Sequence, residues 1–198
     1  MRYKRITAAI LDILIFMMFF FLIFSIVPVN KNAQKLNIQL NEYTSKNLLE
    51  LTSAEKNQMM EIAYSLDRET SYMYIIISLV IIIYFILIPK WLNGKTLAQH
   101  IRKVKLVRDD GEKPTINQYI IRAMLNSGLI LTILVPLFIY IFNAIWYSIV
   151  ASILCLLQFI YWIISFFMLI IKKKTIHDYV TKTKVIEVKR WENLVNKN

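Results

Sequence analysis

The sequence predicts an all-α integral membrane protein with four transmembrane helices, both termini cytoplasmic and short β-like cytoplasmic segments. Three observations lead there. Hydrophobic residues make up 57% of the 198-residue chain and charged residues 19%, with three Gly and four Pro, which is too apolar for a soluble domain of this size. The apolar residues gather in runs that reach the ~20 residues needed to cross a bilayer. Lys and Arg are segregated between alternate runs.

The chain reads as a single membrane domain over residues 1–198, with helices at about 6–29, 72–89, 116–142 and 145–171. The first follows a basic tip (Arg2, Lys4, Arg5) and is broken by one acid, Asp12. It is too long for a secretory signal and no small-residue cleavage site follows it, so it is read as a retained anchor. The last two runs are nearly continuous, and Asn143 marks a tight hairpin between them. Pro136 removes a backbone donor and is expected to bend the third helix. In the loop 30–70, Thr52 and Glu55 have capping-box spacing, and Met59, Ile62, Ala63 and Leu66 recur at helical intervals, which predicts a short amphipathic helix over about Ser53–Leu66.

Orientation follows from charge. The N-terminal tip, the loop 90–115 and the tail 172–198 carry eighteen Lys and Arg, whereas the loop 30–70 carries five. By the positive-inside bias the former are cytoplasmic and the latter is external, and the protein belongs in the cell membrane. The net charge of +11 is therefore a property of one face, suited to anionic lipid. Nucleic-acid binding is not expected, because no soluble module interleaves aromatic and basic residues. A single cysteine, Cys155, excludes an internal disulfide and a zinc site. No nucleophile–base pair, metal triad or phosphate loop is present, so neither enzymatic activity nor a cofactor or metal is expected.

Two ionisable groups lie inside the expected spans, Asp12 in the first helix and Arg122 in the third, each about six residues in from the cytoplasmic end. A carboxylate there costs roughly 2.5–3.5 kcal/mol on insertion scales unless it is offset. Arg5 is near in sequence, but an Asp12–Arg122 ion pair is the simplest way to satisfy both spans. Such a pair either fixes how two helices pack or tunes an acid that titrates or binds a cation. Asn126 and Gln158 extend a polar path or make lone interhelical hydrogen bonds. His177-Asp178, after the last helix, either caps that helix and anchors the tail, or holds Arg5 or accepts protons arriving at Asp12.

The cytoplasmic segments repeat. Lys95-Thr96-Leu97 with Lys103, Lys105, Leu106 and Val107 aligns at an offset of 79 with Lys174-Thr175-Ile176, Lys182, Lys184, Val185 and Ile186. Each copy follows a helix returning to the cytoplasm, as two hairpins in parallel repeat would. The alternation in 104–106 and 183–187 suits strands that pair with each other, with Asp110-Gly111 ending the first.

Arg5, Asp12, Gly94, Thr96, Asp110-Gly111, Arg122 and the stretch Thr175-Ile176-His177-Asp178, in that order and placement, resemble the RDD family of bacterial membrane proteins. That family is named for one arginine and two aspartates, which match Arg5, Asp12 and Asp178 by position. Where the family has a Gly-Lys pair after Gly-x-Thr, this chain has Ala98-Gln99. The resemblance implies a membrane protein for which transport, including sodium/proton exchange, has been suggested. Two functions are therefore expected to compete. One is transport or ion coupling of a monovalent cation or proton through Arg5, Asp12, Arg122, His177 and Asp178, as a homo-oligomer. The other is a non-transporting accessory, of partner-binding or immunity type, whose charges are structural.

Overall fold

Residues 2–28, 30–46 and 51–188 are described in a computed structural model of the chain. Positions 47–50 of the expected external loop and the tail beyond 188 lie outside them. Helix α1 runs Arg2–Ile26 and ends two residues before Pro28, whose ring disfavours helical geometry in the residue it follows. The expected span of 6–29 is thus shifted toward the N-terminus.

Two helices, not one, are found among the described residues of the loop 30–70. Asn30 caps α2 (Lys31–Thr44) by accepting from the Asn32 backbone N–H at 3.1 Å. Thr52 caps α3 (Ser53–Glu69) through the expected capping box with Glu55, and α3 extends three residues past the expected end at Leu66. In α2 the half-buried or buried residues are Ala33, Leu36, Leu40 and Tyr43, which share one face at three- and four-residue spacing.

Helix α4 covers Ser71–Trp91 and contains a π-helical turn at Ile83–Leu87, where the Ile88 N–H reaches back five residues to the Ile83 carbonyl. Pro89 follows the widened turn; having no N–H, it leaves the backbone one donor short there. Short helix α5 (Leu97–Ile101) leads into strand β1 (Val104–Arg108). The third crossing is broken: α6 (Ile116–Asn126) and α7 (Leu129–Ile141) meet at 65°. The sharp bend thus lies before Pro136, and α7 continues through that proline. The break lies at Gly128, whose φ of +74° is left-handed and cannot continue a helix. Helix α8 (Ala144–Lys172) begins at Asn143, whose side chain accepts from the Trp146 N–H at 3.1 Å. Helix α9 (Ile176–Val180) and strand β2 (Thr183–Glu187) close the described chain.

Among the described residues three helices (α1, α4, α8) are long and apolar enough to cross a membrane, and there are four crossings if α6 and α7 form one bent span. Their outer faces carry exposed large apolar side chains such as Phe21, Phe159 and Phe167, as suits contact with a bilayer.

The two strands pair antiparallel, with Leu106 opposite Val185, so the expected pairing of the repeated segments holds. The repeat extends to detail. Thr96 with Gln99, and Thr175 with Asp178, form equivalent capping boxes; Lys103 and Lys182 both have positive φ. Asp109 N–H donates to the Lys182 carbonyl at 3.0 Å and Val188 N–H to the Lys103 carbonyl at 3.1 Å, again 79 residues apart. The two copies thus form a pseudo-two-fold clasp at one end of the bundle. Ala8, Ile81, Tyr119, Ala123, Val104 and Val185 pack in one core that joins helices to clasp.

Candidate functional site

Two buried carboxylates sit where the helices meet the clasp. Asp12 is 7% exposed on α1, and it faces neutral donors. Tyr84 Oη donates to Oδ1 at 2.6 Å and Thr96 Oγ1 to Oδ2 at 2.9 Å, while the Ala98 backbone supplies a further hydrogen bond. Each donor has a local origin. Tyr84 lies in the π-helical turn, the kind of distortion often found where a side chain must be re-aimed. Thr96 is the N-cap of α5, so its hydroxyl accepts from the Gln99 N–H at 3.2 Å and spends its single proton on Asp12. Gln99 closes the capping box at the position where the Gly-Lys pair is missing. Among the described residues no Lys, Arg or His nitrogen lies within 4.0 Å of Asp12.

Arg5 and Arg122 are instead held by Asp178, which is fully buried. Arg5 Nη2 binds Oδ2 and Arg122 Nη1 binds Oδ1 at 2.5 Å, and the Thr175 N–H donates to Oδ2 at 3.0 Å. Arg5 also donates to the Lys173 carbonyl at 3.0 Å, and Arg122 to Thr183 Oγ1 at 2.8 Å. Thus Asp178 joins the first helix, the third crossing and the second half of the clasp. Neither the expected Asp12–Arg122 pair nor an Asp12–Arg5 pair forms. The reason is geometric: α6 packs on α9, so Arg122 meets the second cap, while α1 lays Asp12 over the first cap.

Burial by itself pushes the Asp178 carboxyl up, but Arg122 and then Arg5, with His177 and the Thr175 backbone, outweigh it and hold it well below the usual carboxylate range. His177, 6% exposed, is also shifted down, but by burial. Burial first and the nearby Arg122 second keep its imidazole neutral far below its ordinary value, against the pull of Asp178. Its Nδ1 lies 3.1 Å from Tyr161 Oη. Of the two residues expected to extend a polar path or tie helices, Gln158 Nε2 donates to the Leu125 carbonyl at 3.0 Å, and the Asn126 backbone carbonyl accepts from Trp162 Nε1 at 2.9 Å. Both are interhelical ties. Among the described residues no group of three metal-ligating side chains occurs.

Sequence reasoning had not linked Tyr84 and Thr96 to Asp12. The Thr96-x-x-Gln99 spacing was a readable cap signal, whereas nothing distinguishes Tyr84 within its apolar run.

A bundle of apolar spans on a polar clasp, with acids buried at the junction, defines a multi-pass membrane protein in contact with the bilayer. A sequence model of the RDD family matches residues 2–182, and the chain belongs to that family. Neither the curated proteins nor the solved structures contain a match.

Proposed function

We propose that the protein couples the movement of a proton or monovalent cation across the cell membrane to a change of charge at Asp12, with both termini and the clasp cytoplasmic and facing anionic lipid. The observation that carries the reading is that Asp12 is buried with hydroxyl and amide donors and without a cationic partner among the described residues. A carboxylate so placed can be neutralised by a proton or by a bound cation, whereas Asp178, already paired with two arginines, cannot do so without breaking the clasp. The roles therefore divide. Asp12 is the coupling group; Arg5, Arg122 and Asp178 hold α1 and α6 in register around it. Four crossings enclose little pathway, so the working unit is taken to be a homo-oligomer. The completeness of the Asp178 cluster also favours a second reading, a non-transporting accessory protein in which every charge is structural.

Flux in proteoliposomes separates the two. The purified chain should move protons in response to an imposed sodium or potassium gradient, and Asp12→Asn should abolish this while leaving a folded protein. If wild type shows no flux for sodium, potassium or protons and Asp12→Asn alters only thermal stability, the accessory reading replaces the carrier.

A further inference from the structure

At the other end of α1 lies a cavity of about 480 Å³ formed by the end of α1, by α2 and α3, and by the start of α4. That volume is within the range of sites for small organic molecules. Its wall is mainly apolar, with Phe24, Leu66, Met73 and Ile77 contributing, and among the described residues that line it Asp67 is the one carboxylate, none is basic, and Tyr74 adds a phenol. Asp67 is half-buried; its Oδ2 accepts from Tyr147 Oη at 2.8 Å, and among the described residues no basic nitrogen lies within 4.0 Å of it. The phenol is held in place. Tyr147 packs edge-on against Tyr64 at 5.5 Å, and Tyr64 Oη in turn donates to the Ile139 carbonyl at 2.8 Å, in the last turn of α7. The carboxylate is thus presented to the cavity by a fixed framework. Burial raises its pKa, the mark of an acid lacking a counter-charge.

A bare alkali ion would need several oxygen ligands at close range, which a mostly apolar wall does not supply. An anionic ligand would meet the carboxylate with no base to offset it. We propose that this cavity binds an amphiphilic organic cation, with its charged end against Asp67 and its apolar body against Phe24, Leu66, Met73 and Ile77. The site stands apart from Asp12: twelve residues of α1 separate Asp12 from Phe24, roughly 18 Å of helix rise. Its occupancy does not depend on the ion-coupling reading.

The test is binding of radiolabelled tetraphenylphosphonium to the purified full chain in nanodiscs of zwitterionic lipid, with empty nanodiscs as background and neutral triphenylphosphine oxide as competitor. Wild type should bind the cation saturably, and the neutral compound should compete at least about tenfold more weakly. Asp67→Asn keeps the shape and an acceptor for Tyr147 and should weaken binding by about tenfold or more, the scale of one partly screened charge contact. Asn37→Trp, at an exposed position on the cavity rim, should weaken it by occupying the space and does not require any buried group to change. Glu61→Gln removes the same charge from an exposed position of α3 and should leave binding unchanged. The proposal is overturned by an absence of saturable binding to wild type, by equal competition from the neutral compound, or by unchanged binding in both Asp67→Asn and Asn37→Trp.

Discussion

The partners of Arg122 set the sharpest test of the architecture. In the structure Arg122 binds Asp178 and shares no contact with Asp12. Asp178→Asn would strand two guanidiniums, on side chains only 11% and 14% exposed, around an uncharged amide, and the Thr175 N–H would lose its charged acceptor. Removing one member of a buried ion pair costs about 3–5 kcal/mol because it leaves the other charge uncompensated. One acid here serves two bases, so the loss is expected at the upper end, about 5 kcal/mol. Arg122→Gln leaves Asp178 still held by Arg5 and by the Thr175 backbone, and about 3 kcal/mol is expected. The double change removes both charges of that contact and should recover at least ~1.5 kcal/mol relative to the sum of the singles. The Asp12→Asn and Arg122→Gln losses, in contrast, should add to within ~0.5 kcal/mol. Equilibrium unfolding in mixed micelles, followed by helical circular dichroism, reads both cycles. Additive losses for Asp178 with Arg122, or a coupling above ~1.5 kcal/mol for Asp12 with Arg122, would refute the arrangement.

Two further outcomes follow from the clasp. The folded imidazole of His177 stays neutral far below its ordinary value of 6.5 while the unfolded chain takes up a proton there, so stability should fall as pH drops below about 6.5, by up to about 1.4 kcal/mol per pH unit; His177→Gln should flatten the unfolding free energy between pH 6.5 and 5, whereas the Asp178 contribution, depressed rather than raised, is lost only as pH falls below about 4. Gly94 has φ +87° and its carbonyl accepts from the Leu106 N–H at 2.8 Å, so a Cβ would run into the Leu106 carbonyl; Gly94→Ala should cost more than the ~1–2 kcal/mol of a left-handed alanine alone and lower the thermal midpoint, and an unchanged midpoint would contradict the close approach.

Much of the fold was legible because lipid imposes a coarse rule: spans must be apolar and long, and their ends must be charged. Those rules place α4 and α8 within two residues of their expected ends. What escaped them depended on finer physics. Helix α2 is polar overall, so a hydropathy reading passes over it, although Asn30 as N-cap and the Ala33, Leu36, Leu40, Tyr43 stripe were present in the sequence. A bend of the third helix was expected at Pro136, but the break at Gly128 was not: a proline within a span can be tolerated where its neighbours re-satisfy the backbone, while a glycine at positive φ ends a helix outright. For the site, sequence depth alone put Asp12 and Arg122 at one level. It could not say which face each would present, because that is set by helix packing on the clasp.

The clasp itself explains why the two charges part company. Its antiparallel register sets Leu106 opposite Val185, its own counterpart at an offset of 79, so a pseudo-two-fold axis passes through that pair, as expected where two hairpins form a parallel repeat. The backbone obeys the symmetry closely, but the third position of the capping box does not: it is Gln99 in the first copy and Asp178 in the second. The neutral Gln99 closes its own cap and leaves the Thr96 hydroxyl and the Ala98 backbone to receive an acid from outside, which α1 supplies as Asp12. Asp178 closes its cap with a charge, and that charge must be offset in so dry a place, so the second copy recruits Arg122 and Arg5. One scaffold used twice thus yields a cradle of neutral donors for a carboxylate and a carboxylate clamp for two cations. The residue at the third cap position, Gln99 in one copy and Asp178 in the other, is where the two caps part, and α1, α4 and α6 supply the matching partners.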